Sequence, residues 1–148
     1  MEILITFLDY VKLNVEYNFI FTFFLFFVFM LFYNSFSLPG NIIFMASAGY
    51  FFGIILGFFL SIMTLVFGSF LFFIFFHHFL KIVNLNFIDK HIKSLQNHIS
   101  KSTISYLIIF RMIPGIPLFL QNLFLSFINI IKKNFLISSF FGFTPIVF

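Results

Sequence analysis

One side chain in this sequence could do chemistry in an otherwise greasy setting: Arg111. It lies inside the apolar run 104–129 and leads into Met112, Ile113, Pro114, Gly115, Ile116 and Pro117, with Gln121 and Asn122 just beyond. A guanidinium holds a phosphate or carboxylate through charge-assisted, two-pronged hydrogen bonds. Proline removes a backbone donor and clashes with the preceding turn, and glycine between two prolines disfavours helix further. The run therefore predicts helix, elbow, helix. Broken backbone at membrane depth survives only where protein or a water-filled cavity satisfies the freed groups, and an arginine there marks a functional site by default. The competing interpretation is a kinked spanning helix whose arginine snorkels to the nearer interface. A second break, Pro39-Gly40-Asn41, sits in the first half of the chain. Asn41, Gln121 and Asn122 are the polar residues expected to line a path beside Arg111, with Pro39, Gly40, Pro114, Gly115 and Pro117 shaping it.

Several chemistries are excluded. No acidic residue lies between Glu16 and Asp89, so no intramembrane carboxylate pair exists for acid–base work. Zinc-protease, phosphate-loop and serine-hydrolase motifs are missing. The chain has no cysteine, hence no disulfide or thiol chemistry. His77 and His78 are neighbours on a helix, point about 100° apart and have no further ligands nearby, so interfacial histidines are preferred to a metal site. A net charge of +4, scattered along the chain, does not suggest nucleic acid. No catalytic residue, metal or cofactor is expected.

The elements that must position Arg111 follow from composition. The 148 residues are 62% hydrophobic and 8% charged, with mean hydropathy +1.18. Soluble domains carry about 25% charged residues, so this is the composition of an integral membrane protein. Phe alone supplies 32 residues, so stripes of Phe carry little information. Without Trp, an aromatic belt must come from Tyr17, Tyr33 and Tyr106.

Residues 1–17 start with Glu2 and are interrupted by Asp9 and Lys12, which fits an interfacial segment better than a secretory signal. Asn18–Phe36 is long enough to span once. Ser37–Asn41 breaks the chain. The stretch to Leu80 is too long for one span and short for two, which predicts a hairpin that dips and returns, then one full span. Gly49, Gly53, Gly57 and Ser61 recur every four residues, the spacing of a helix-packing face. Within 81–103, Ile88, Ile92, Leu95 and Ile99 form one stripe with Lys90, Lys93 and Gln96 away from it, and Asp89 can pair with Lys93, the pattern of an interfacial amphipathic helix. Its lysines place it on the cytoplasmic side. Lys101 and Lys132-Lys133 then flank 102–131 on that same side, so this stretch enters and leaves from one face. Traced backwards, the first span runs inside to outside, and the break near Pro39 opens from the outer face. Two broken segments of opposite orientation point to a transport site at the midplane. Residues 134–148 contain Gly142 and Pro145 and are short for a span, so the last span reads as cut short.

From about residue 37 to 148 the chain resembles the VTT-domain proteins, also called SNARE-associated Golgi proteins, with the bacterial DedA proteins as relatives. The resemblance is carried by Leu38-Pro39, by Ala48-Gly49-Tyr50-Phe51-Phe52-Gly53 with Gly57 and Gly68, by Phe110-Arg111-Met112-Ile113-Pro114-Gly115-Ile116-Pro117 with Asn122, and by Gly142-Phe143-Thr144-Pro145. Arg-x-x-Pro-x-x-Pro in an apolar setting is its most specific part. It implies an all-α polytopic membrane fold with two oppositely oriented re-entrant hairpins, occupying 18–148 after the interfacial segment. It also implies movement of lipids, phospholipid or polyprenyl phosphate, between leaflets, in a bacterial inner (plasma) membrane. Membrane lipids with anionic phosphate headgroups are the expected partners, and a homo-oligomer is left open. DedA proteins have an acidic residue in the first hairpin, where Asn41 stands here, and a second arginine after the proline run, where Leu118–Leu120 offer none. The chain is thus closer to the Golgi-type branch, which weakens the case for proton coupling. The alternative is a non-transporting assembly protein or a truncated remnant.

Overall fold

In a computed structural model, residues 6, 12, 13, 15, 17–83, 104–113, 115–128 and 130–147 are described. Pro114, most of the N-terminal segment and the amphipathic stretch within 84–103 lie outside them. Among the described residues there are six principal helices and no strand: α1 Phe19–Ser35, α2 Asn41–Phe52, α3 Ile54–Val83, α4 Ile104–Met112, α5 Leu118–Phe127 and α6 Lys132–Val147. The all-α expectation is met.

Helix α3 is the axis on which the others are laid. Its 30 residues extend about 45 Å at 1.5 Å per residue. Its segment Ile54–Leu80 is the one helix among the described residues long and apolar enough to cross a membrane. Helix α1 is too short for that test, and it turns back. Phe36 and Ser37 close its last turn onto the carbonyls of Tyr33 and Asn34, at 3.3 and 3.0 Å. The Tyr33 hydroxyl donates to the Pro39 carbonyl, which ties the loop. Gly40 then caps α2 with a left-handed backbone. Going away from the turn, Phe44 meets Phe29 and Tyr33, and Phe52 meets Phe19, Phe23 and Phe26. Helices α1 and α2 are therefore two limbs of one hairpin with its tip at 36–40.

This moves the expected hairpin by one element. The sequence placed it within 41–80, with Asn18–Phe36 crossing alone. Instead α2 is a returning limb, and everything after Gly53 is one continuous helix. The glycine stripe is corrected too. Gly53 ends α2, so Gly49 and Gly57 lie on different helices and face each other across the turn. A Cβ on Gly57 would come within 2.6 Å of the Gly49 backbone, so α2 and α3 touch backbone to backbone.

The second hairpin is α4 and α5, joined through 113–117. Its α5 limb packs beside the later half of α3, where Phe119 meets the Phe72 ring and His77 meets the Ser126 carbonyl, and its α4 limb packs on α6. Helix α6 runs antiparallel to α3 and seals the whole. Phe135 packs with Phe73 near one end, and Phe143 with Ile62, Leu65 and Val66 further along. Contrary to expectation, neither Gly142 nor Pro145 interrupts α6. Pro145 sits in the last turn, where it removes a single backbone donor, and Gly142 is buried in a helix contact.

Three apolar layers stack along α3: Val15, Met30, Ala48, Phe52 and Leu60; then Ile62, Leu65, Val66 and Phe143; then Phe73, Leu107, Leu125 and Phe135. The outside is apolar as well, with Phe21, Phe24, Phe32, Ile55 and Phe75 each more than 60% exposed.

Candidate functional site

The two hairpin tips meet near the middle of α3. Arg111, in the last turn of α4, is completely buried there. Two elements, α5 and α6, hold it. Asn122 of α5 accepts a hydrogen bond from its Nη1 at 2.6 Å. The rings of Phe135 and Phe143, both on α6, lie 4.7 and 4.8 Å from its guanidinium carbon, close enough for cation–π attraction. Gly142, between those two phenylalanines, sits directly against the Arg111 Cβ with no room for a Cβ of its own. Any other residue at 142 would push α6 off the arginine.

Asn122 passes the connection on. Its Nδ2 donates to Ser37 Oγ at 2.7 Å and to Ser69 Oγ at 3.1 Å. Ser37 belongs to the tip of the first hairpin and Ser69 to α3. Ser37 has φ of 51°, a left-handed backbone rare outside glycine, and its hydroxyl donates to the Asn34 carbonyl at 3.4 Å. One amide thus joins both hairpins, the long helix and the arginine.

On the other side of Arg111 lies a cavity of about 300 Å³. Asn41, Arg111, Gly115 and Gln121 line it, together with Met45, Leu65 and Phe143. Arg111 keeps Nε and Nη2, Gln121 keeps Oε1 and Asn41 keeps Oδ1 buried without a partner among the described residues. Gln121 Nε2 donates to the Ile116 carbonyl at 3.2 Å, which folds the elbow over the cavity. Helix α2 begins at Asn41 and α5 at Leu118, and both first residues are on the cavity wall. Helix N-termini carry partial positive charge and free backbone donors. A guanidinium with two unpartnered nitrogens, lining one cavity with two such termini, offers donors of the kind an oxyanion accepts from.

Of the residues singled out in the sequence, Arg111, Gln121, Asn41 and Gly115 are brought together at this cavity. Asn122 lies behind Arg111 as its anchor. Pro39 and Gly40 form the exposed first tip, and Pro117 caps α5, its carbonyl accepting from the Gln121 amide at 3.1 Å. None of these three lines the cavity. Pro114 lies outside the described residues. Sequence reasoning missed Ser37, Ser69, Phe135 and Phe143. Ser37, next to the Leu-Pro-Gly break, was the most accessible of these; a ring stacked on arginine cannot be singled out where Phe is everywhere. His77 Nδ1 lies 3.1 Å from the Ser126 carbonyl and its ring stacks on Phe73. No group of three metal-ligating side chains occurs among the described residues.

An all-helical chain built on one long apolar helix, with a buried arginine where two helical hairpins meet, defines the class. The comparison of the sequence with known families refines it. Residues 38–148 match the VTT domain, and the chain belongs to the VTT-domain family. No curated protein and no solved structure matches it.

Proposed function

We propose that this is a multi-pass integral membrane protein that moves phosphate-bearing lipids between leaflets, with Arg111 receiving the headgroup. The observation that carries this is the cavity at the hairpin tips. There a guanidinium with unpartnered nitrogens, two helix N-termini and the amides of Asn41 and Gln121 converge. Phosphate oxygens accept from the guanidinium and from the free backbone N–H groups of the helix termini, while Asn41 Oδ1 and Gln121 Oε1 are acceptors for a donor elsewhere in the headgroup. Phospholipids and polyprenyl phosphates share that chemistry. In this reading both hairpins are re-entrant and enter from opposite faces, so that a headgroup from either leaflet meets Arg111 halfway. The protein would act without chemical conversion of its lipid, in a plasma membrane.

A second reading has its own observation. Arg111 is wedged among Asn122, Phe135, Phe143 and Gly142, as a purely structural pin would be. The two separate in proteoliposomes that hold a fluorescent phospholipid, with lipid transfer normalised to folded protein. Arg111→Lys keeps the charge but loses the planar fork, and should retain part of the transfer. Arg111→Ala should fall to the rate of protein-free liposomes. A folded Arg111→Ala protein with full transfer would remove the arginine from the mechanism. Loss of folded protein with unchanged transfer per folded molecule would favour the pin.

A further inference from the structure

Beside the headgroup cavity lies a second and larger one. A groove of about 640 Å³ runs between α2, the start of α3 and the end of α6. Ile42, Met45 and Ile146 line both spaces, so the two lie side by side against a common wall. Their linings differ in kind. The polar side chains that converge on Arg111 stay behind, and the groove is walled almost wholly by aliphatic and aromatic groups. Its floor is held open by backbone. Gly57 presses on the Gly49 backbone and forms the seam, yet a Cβ built on Gly49 itself would meet nothing within 4 Å. The absent side chain at 49 leaves space that no neighbour occupies. The volume is that of a single-ligand pocket.

We propose that this groove takes one fatty acyl chain of the same phospholipid whose phosphate sits at Arg111. The inference rests on the headgroup reading above. An anion-binding end and an apolar extension, side by side across a common wall, fit an amphiphile. The size of the groove suits one acyl chain rather than a long polyprenol. The groove would then select lipids by chain as the cavity selects them by head, with Ile42, Met45 and Ile146 at the junction.

The test compares two ligands with the same head, dipalmitoyl and dihexanoyl phosphatidate, binding to purified full-length protein in detergent by native mass spectrometry. The wild type should prefer the long chain by about tenfold or more, since each buried methylene adds to binding. Gly49→Leu fills the open floor, and Ala46→Leu narrows the same wall. Each should reduce the preference to near unity and leave dihexanoyl binding unchanged. Arg111→Lys should weaken both ligands alike. If both groove variants keep the long-chain preference, the chain lies elsewhere and the proposal fails, while the headgroup reading stands. A polyprenyl phosphate that binds more tightly than dipalmitoyl phosphatidate, and is indifferent to Gly49→Leu, would also overturn it. If neither ligand responds to Arg111→Lys or Arg111→Gln, the headgroup reading itself fails.

Discussion

Asn122 uses three of its side chain's hydrogen-bonding directions, and each reaches a different element. In water a replaced amide finds new partners easily. Between apolar layers it does not, and a buried donor left alone costs the full desolvation of that group. Asn122→Leu keeps roughly the volume but strands Arg111 Nη1 and releases Ser37 and Ser69. The expected loss is roughly 2–4 kcal/mol, read as a lower melting temperature in detergent. Asn122→Asp keeps an acceptor for Arg111 and can take hydrogen bonds from both serine hydroxyls, so it should lose much less. Equal melting of wild type and Asn122→Leu would show that the amide is not the junction described here.

Among elements, the contact between α2 and α3 brings a glycine of one helix closest to the backbone of another. Lipid tails are as apolar as leucine, so helices in a bilayer associate through close packing and polar ties rather than through hydrophobic burial. Gly57 and Gly49 sit opposite each other yet should respond differently. Gly57→Ala drives a methyl into the α2 backbone and should cost roughly 1–3 kcal/mol. Gly49→Ala meets open space and should melt like the wild type. If both are tolerated, the α2–α3 contact is looser than its geometry implies. The same pair shows what sequence could and could not tell. Spacing marked 49, 53, 57 and 61 as a packing set, and Gly57 does pack on the Gly49 backbone, while Gly53 is exposed at the turn. But a four-residue period assumes one helix, and only the positive φ of Gly53 (82°) reveals that the chain turns there. The elbow after Arg111 was legible because Pro and Gly change backbone physics locally. The joining of Asn122 to Ser37, 85 residues apart, was not, because no local rule encodes it. Gly142 and Pro145 misled for the opposite reason. Each is a helix breaker by propensity, but one is held by tertiary contact and the other sits where a missing donor hardly matters.

For the whole molecule, the turned-back α1 alters the expected topology. Phe19 and Phe52 lie together at the end of the bundle where α3 begins, so the start of α1 belongs to that end too. Lys132 and Lys133 open α6 at the other end, the side that basic residues mark as cytoplasmic. The chain lacks cysteine, so single-cysteine labelling has no background. Asn18→Cys should react with an impermeant thiol reagent on intact cells, and Lys133→Cys only after permeabilisation. Shielding of both sites would mean that α1 crosses alone, as the sequence first suggested. The packing of α6 on Arg111 also has a consequence in time. Phe135 and Phe143 follow Arg111 in the chain by 24 and 32 residues, so the aromatic cover of the guanidinium is complete only once α6 has been made and packed. Until α6 is made, that charge has to wait near water or headgroups. Seating of the second hairpin is therefore a late event in biogenesis, completed from outside the hairpin by the last helix described.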